Sequence, residues 1–423
     1  MQVPPFLYDF GYNYATVPTL IGTPPQQVNI TIDISADLLA AYALDCVLCS
    51  GTQFFNPAIS STFQSLNYSW DESEPTFSGT EVTDTLGLGG IFEIPHRQFV
   101  LINNGANPIA TSRLLGGHFG AYLNPFNSTA ASEHIFTQLY ESGKLLNPVI
   151  GMRFDPANPK ITIGALDPND YEGTINWVQI QPDQTADDYN TIPVDGLKGY
   201  NGSFFPIGVT STNLTATLDS LFMGIAIPNT MPYLMDEGYT GPVDTIDIEP
   251  ELNLNAYICN TTTPYVALTA TINGVDYQMD SPNNLLRPEG QSAVGFCNIG
   301  LNNRSDTNLP QITLGQPFLR SVYVAYRFPT GNCPGYYGFA FPSGANRTHA
   351  QISQTPTSTP TNSAQCLSLT APTSTPSASV VTAQQMMVSS EKYDVYGRHQ
   401  DGQVPLMGIN DLPKSLWNMT ELD

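Results

Sequence analysis

Val28-Asn29-Ile30-Thr31-Ile32-Asp33-Ile34-Ser35 is a β-branched run that ends in one aspartate. Leu214-Thr215-Ala216-Thr217-Leu218-Asp219-Ser220-Leu221 has the same form 186 residues further on: a strand-like run, one Asp, then a small polar or aliphatic pair. The first run is preceded by Ile21-Gly22-Thr23-Pro24-Pro25-Gln26, a turn-rich lead-in of the kind that joins two strands.

The rest of the chain fits a β-rich protein. Further β-branched or aromatic runs stand between turn signals at Val28–Ile34, Gly90–Ile94, Lys160–Gly164, Val266–Ile272 and Tyr323–Phe328. Asn273-Gly274 predicts a tight hairpin between residues 267–272 and 275–279, because a type I′ turn needs positive φ at both central residues. Helical spacing is confined to Glu133–Ser142, which ends at Gly143, and Asn229–Glu237, which ends at Gly238. With 34 Gly and 35 Pro in 423 residues, turns are favoured over long helices. The length allows two or three ordinary domains or one large bilobal unit. Residues 351–380 differ: 18 of the 30 are Ser, Thr or Pro, too little apolar surface to offset the entropy of ordering. A disordered stalk, open to O-glycosylation, is predicted from about residue 349 to 423, with Met386-Met387 and Trp417 inside it.

Charge excludes one large class of function. The net charge is −23, with only 14 Lys and Arg, so no basic surface exists to hold a phosphate backbone, and nucleic acid is not expected as a partner. No apolar stretch reaches the length of a membrane span. No cofactor or metal is expected. The five histidines are scattered, no pair of CxxC units exists, and Asp71, Glu72 and Glu74 lack the spacing of a calcium loop. Gly116-Gly117 is followed by no Lys and opens no helix, which argues against a phosphate loop, and the neighbouring His118 is expected to pack locally. An even number of cysteines, six, and nine Asn-x-Ser/Thr sequons (Asn29, Asn67, Asn127, Asn201, Asn213, Asn260, Asn303, Asn346, Asn418) point to the secretory pathway. A secreted or cell-surface location is the expectation. Met1 is followed by Gln2-Val3-Pro4-Pro5 without a leader pattern, which fits either a removed signal or a late start.

Taken in order, these pieces resemble the pepsin family of aspartic peptidases, in its secreted fungal form, over residues 8–342. IGTPPQ at Ile21–Gln26 is similar to the family's first hairpin, with Asp33 seven residues on in the place of its first catalytic Asp. Ser78-Gly79 and Asp84-Thr85 through Gly90 resemble the flap hairpin and the strand after it, and Ile135–Leu139 the helix before the lobe's last strands. Ile163-Gly164, Asp170-Tyr171, Gly173 and Ile175–Val178 resemble the end of the first lobe. Asp219 stands where the second catalytic Asp does, and Ile312-Thr313-Leu314-Gly315 with Phe318-Leu319-Arg320 and Tyr323 resembles the closing element. The resemblance implies an all-β bilobal fold with few short helices, lobes at 1–178 and 179–348, and the disordered tail at 349–423. It implies disulfides Cys46–Cys49 and Cys259–Cys297, leaving Cys333 with Cys366 as a third bridge; a redox role for the Cys46/Cys49 pair lacks its βαβ setting. It also implies a monomer that takes a peptide or protein into a central cleft, where two carboxylates share one proton and activate a water.

The chain departs from that family at its most chemical positions. Where the family has Asp-Thr/Ser-Gly twice, this chain has Asp33-Ile34-Ser35 and Asp219-Ser220-Leu221. Ile34 has no hydroxyl to cross-brace the loops, whereas Ser220 has. Ser35 and Leu221 add a Cβ where the family has glycine, and Phe222 replaces a small supporting residue. Glu72 (or Asp71) falls at the flap tyrosine's place, among the acids of Trp70–Glu74, and Ala40 aligns with the tryptophan that braces that tyrosine. Each lost donor typically lowers such a rate about 10²-fold or more. The expectation is therefore a peptidase-type scaffold with weak or absent hydrolysis, or a non-catalytic peptide- or protein-binding relative.

Overall fold

The computed structural model describes residues 2–371 except 4–5, 10–12, 50–52, 73–76, 89–91, 106–115, 124–133, 156–157, 182–189, 200–201, 203, 205–213, 223, 228–255, 259–266, 281–285, 289–295, 300 and 304–311. Strands dominate it, and the helices are single short turns apart from Ile135–Glu141. The fold is the all-β bilobal one expected.

An eight-stranded sheet carries the first half. Its order is Phe6–Asp9, Asn13–Ile21, Gln26–Asp33, Gly117–Gly120, Leu39–Val47, Phe92–Gly105, Phe77–Leu88 and Gln64–Glu72. A five-stranded sheet carries the second: Ile192–Val194, Leu214–Leu218, Ile312–Leu314, Ile225–Ile227 and Leu301–Asn303. The two share a local plan. Gln26–Asp33 runs parallel to Gly117–Gly120, which is antiparallel to Leu39–Val47. Leu214–Leu218 likewise runs parallel to Ile312–Leu314, which is antiparallel to Ile225–Ile227. Each aspartate therefore leaves its strand beside a short parallel partner that ends in, or is followed by, a glycine. Those glycines are required by close approach. A Cβ on Gly120 would lie 2.5 Å from Ala36 O, and one on Gly315 would lie 2.3 Å from Phe222 O.

Both halves contribute to a six-stranded sheet, ordered Gln2–Val3, Lys160–Ile163, Val149–Arg153, Tyr323–Arg327, Tyr336–Pro342 and Tyr171–Gln179. Buried rings join the halves: Tyr122 packs on Tyr326 at 6.2 Å and Phe136 stacks on Phe328 at 6.0 Å. The predicted hairpin is present, with Asn273 and Gly274 at φ 48° and 78° and Ile272 opposite Val275. The helix predicted at 133–142 is Ile135–Glu141, capped by His134. The one expected at 229–237 lies outside the described residues.

The start of the expected tail needs correction. Residues 349–371 are folded against both halves. Thr348 caps the His349–Ile352 turn with a capping box. Asn273 Oδ1 accepts from Ser358 N and from the Thr357 and Ser358 hydroxyls, at 2.8–3.0 Å. Tyr336 Oη donates to Thr361 O, Arg327 Nε to Cys366 O, and Asn147 pairs with both backbone groups of Thr370. A Cys333–Cys366 disulfide ties the segment down. Composition misleads here because the segment buries little apolar surface of its own. Side chains of the folded body satisfy its backbone instead. Residues beyond 371 are outside the described part.

Candidate active site

Asp33 is buried at the end of the Gln26–Asp33 strand, 3% exposed. Its Oδ1 accepts from Ser35 N at 2.7 Å and from Ser35 Oγ, with Ser220 Oγ at 3.4 Å. Asp219, half-buried, is held in the matching way: Leu221 N and Phe222 N donate to its Oδ1 at 2.8 and 2.9 Å. In both loops the amide two residues on therefore fixes the carboxylate, and that bond needs no particular side chain. Ser35 and Leu221 take these glycine-like places without positive φ, so their Cβ atoms bring no left-handed strain.

Ser220 joins the loops. Its Oγ accepts from Ile34 N at 3.1 Å and donates to Ile32 O at 3.1 Å. The reciprocal bond, from residue 34 to the second loop, has no donor, because Ile34 is apolar and buried. Asn190 braces the loops from behind. Its Nδ2 donates to Ile34 O and to Leu218 O, each at 3.0 Å, while Thr217 Oγ1 donates to its Oδ1. Tyr337 Oη adds a bond to Ile34 O at 3.2 Å, and Gln316 Nε2 donates to Ser220 O.

Leu221 leans across the site. It packs against a cluster of Ala40, Tyr42, Phe77, Val100 and Ile102 in the first half, on which Trp70 also packs. Volume is thus removed at position 40 and added at 221, as a well-packed interior demands. Trp70 belongs to the Gln64–Glu72 strand, which pairs with Phe77–Leu88 so that Trp70 faces Gly79 and Glu72 faces Phe77. The backbone of Glu72 is therefore at the hairpin end, while its side chain is not described, and Asp71 is likewise placed by backbone only. Cys46–Cys49 is a disulfide, whereas Cys259 lies outside the described residues. Of the sequons, Asn67 and Asn346 are exposed and Asn29 is half-buried; at Asn127, Asn201, Asn213, Asn260, Asn303 and Asn418 no side chain is described.

One residue at the site departs from its expected role. His118 does more than pack locally: its Nε2 lies 2.9 Å from Asp33 Oδ2. Nε2 makes no aligned hydrogen bond there, and the contact is an ion pair when the imidazole is protonated. Burial pushes the Asp33 carboxyl up. The imidazole beside it and the two donors of Ser35 outweigh that, and Asp33 titrates below the ordinary carboxylate range. His118 is placed by the Gly117–Gly120 strand, where Thr31 is opposite His118 and Asp33 opposite Gly120. A signal for this existed in the sequence. His118-Phe119-Gly120 has the same residue-apolar-Gly form as Thr313-Leu314-Gly315. Among the described residues no cluster of three metal-ligating side chains is formed, and no helix is long and apolar enough to cross a membrane.

Comparison with known proteins agrees with this geometry. The family model described as eukaryotic aspartyl protease matches residues 13–332, a span that includes both aspartates and both parallel strand–Gly elements. The chain belongs to that family. Its similarity to individual members is modest: 25% identity over 316 residues to gastricsin of Mus musculus, and 24% over 314 residues to pepsin A of Callithrix jacchus. Chymosin of Callithrix jacchus is 26% identical over 321 residues. Each alignment covers 72% of this chain and 76% of the relative. Peptide hydrolysis is the chemistry of that family, and its pepsin-like members bind peptide substrates in a cleft.

Proposed function

We propose that this aspartyl protease relative, with lobes at 1–178 and 179–348, holds an extended peptide segment in its central cleft. In this reading Asp33 and Asp219 are the catalytic pair, and hydrolysis by them is weak or lost. The observation that carries the reading is the state of Asp33: held by Ser35 and within reach of Ser220 on one oxygen, and set against an imidazole on the other. A pair of carboxylates that activates water needs one shared proton. A cation beside one member removes the reason to share it. The apolar Ile34 and the leaning Leu221 act in the same direction. They weaken the cross-brace and take up space beside the second carboxylate. The disulfides Cys46–Cys49 and Cys333–Cys366 support an oxidising, secreted or cell-surface setting.

The test is hydrolysis of an unfolded protein substrate across the acid pH range, by the purified chain and by Asp33→Asn. Little or no cleavage, with retained binding of a peptide that mimics the tetrahedral intermediate, is the expected result. Vigorous cleavage that disappears in Asp33→Asn would overturn the loss of activity. Absence of both cleavage and binding would overturn the peptide cleft.

A further inference from the structure

The contact between His118 and Asp33 has a chemical consequence of its own. The imidazole nitrogen and Asp33 Oδ2 are 2.9 Å apart, and their side chains are 12% and 4% exposed. At this depth an opposite charge is poorly screened. The imidazole meets Oδ2, whereas the bonds of Ser35 and the approach of Ser220 involve Oδ1. Other charged or titratable groups are close. Asp37, in the turn after the Gln26–Asp33 strand, acts on His118; Tyr337, from the Tyr336–Pro342 strand, faces Asp33; and Asp219 lies in the loop that Ser220 joins to Asp33. Of these the imidazole is the one that can carry positive charge.

We propose that His118 is a positioning residue that acts through Asp33: its imidazolium stands in for the proton that two aspartates would otherwise share, so the site remains an ion pair in the acid range. The argument is one of charge balance. In a bare pair, the second negative charge is relieved by taking up a proton. Here a cation already sits on one carboxylate, and the drive to take up that proton falls for as long as His118 is charged. A ligand hydroxyl that requires the shared proton must then compete with that contact, at a cost of about tenfold in affinity.

The proposal deepens the peptide-cleft reading and relies on it for the ligand, though not for the protonation. Two measurements keep the two apart. Carbon-13 NMR of the aspartate side-chain carboxyls, assigned with Asp33→Asn, follows Asp33 through acid titration in the intact chain, in His118→Leu and in His118→Gln. The glutamine variant keeps a neutral donor, and it stands in if the leucine variant does not fold. Expected is an Asp33 carboxylate that persists to lower pH in the natural chain than in either variant. Superimposable titrations would overturn the proposal. Calorimetry with a statine-containing peptide at about pH 4, near the ordinary carboxylate range, supplies the second readout. About tenfold tighter binding by the variants than by the natural chain supports the ion pair, and equal affinities oppose it. If none of the three proteins binds the peptide, the proposed function fails and the NMR titration still decides the role of His118.

Discussion

Replacing Asn190 with alanine tests whether one buried amide holds both aspartate loops. Asn190 is 1% exposed, and its three bonds connect Ile34 of the first loop with Thr217 and Leu218 just before Asp219. Alanine removes all three and leaves a small void. Ile34 O keeps the Tyr337 hydroxyl, but Thr217 Oγ1 and Leu218 O lose a partner. A buried group left unsatisfied costs about 1–3 kcal/mol, so two of them predict a loss of about 2–6 kcal/mol. In urea unfolding followed by tryptophan fluorescence, that corresponds to a midpoint lowered by about 1 M or more. Gln27→Ala, which removes an exposed amide bond to Asn29, is the control and should stay within about 0.5 kcal/mol. The brace also predicts coupling. Asn190 holds the carbonyl of Ile34 and Ser220 holds its amide. The double variant Asn190→Ala/Ser220→Ala should therefore depart from additivity by more than about 0.5 kcal/mol. A midpoint no lower than that of the control, together with strict additivity, would refute the bracing role.

Three further expectations follow from buried polar groups. Burial, only partly opposed by the bond to Gly120 O, lowers His134 to about 3, from an ordinary 6.5, so its neutral form stabilises the fold above pH 6.5 and that contribution is lost as pH falls toward 3. His134→Asn, which can still accept from Phe136 N, should flatten the stability–pH curve over that window by up to about 5 kcal/mol. Lys160 bonds Asp167 and Asp170 at 2.7 and 2.6 Å; Lys160→Met should cost about 3 kcal/mol at neutral pH. Burial pushes Asp167 up, but Lys160 and Asn169 hold it below the ordinary range, so this cost should shrink as pH falls and the carboxyls take up protons. A denaturation series at several pH values checks both. Cys366→Ser opens a link between residues 33 apart and should cost about 3–4 kcal/mol. A broad-specificity protease should then cut within 349–371 where it spares the natural chain, and unchanged resistance there would argue that the segment is held without the disulfide.

Much of this protein can be read along its sequence. Two β-branched runs each ending in an aspartate, the Asn273-Gly274 turn and the Glu133–Ser142 periodicity are local signals, set by φ/ψ preference and side-chain spacing; they yield the β-rich class, while the bilobal plan and the pairing of the two carboxylates come from the ordered resemblance to the pepsin family. Other features depend on what a distant strand brings near. The His118-Phe119-Gly120 form marks a strand beside the site, but the contact of His118 with Asp33 depends on the parallel pairing of two strands. Asn190 braces two loops that are 156 and 28 residues away from it, and no spacing rule links them. Leu221 is a misfit beside the family motif and becomes a packing residue only once Ala40 and Trp70 are placed near it. The Ser/Thr/Pro segment has the composition of a disordered chain, yet its first part is ordered because Asn273, Asn147, Arg327 and Cys333 wait for it on the folded body. Sequence thus determined the strands and the two acids, through short-range conformational preference. Tertiary structure decided which partner each acid has, and a carboxylate's charge state depends on the groups within a few ångströms of it, however far apart they lie in the chain.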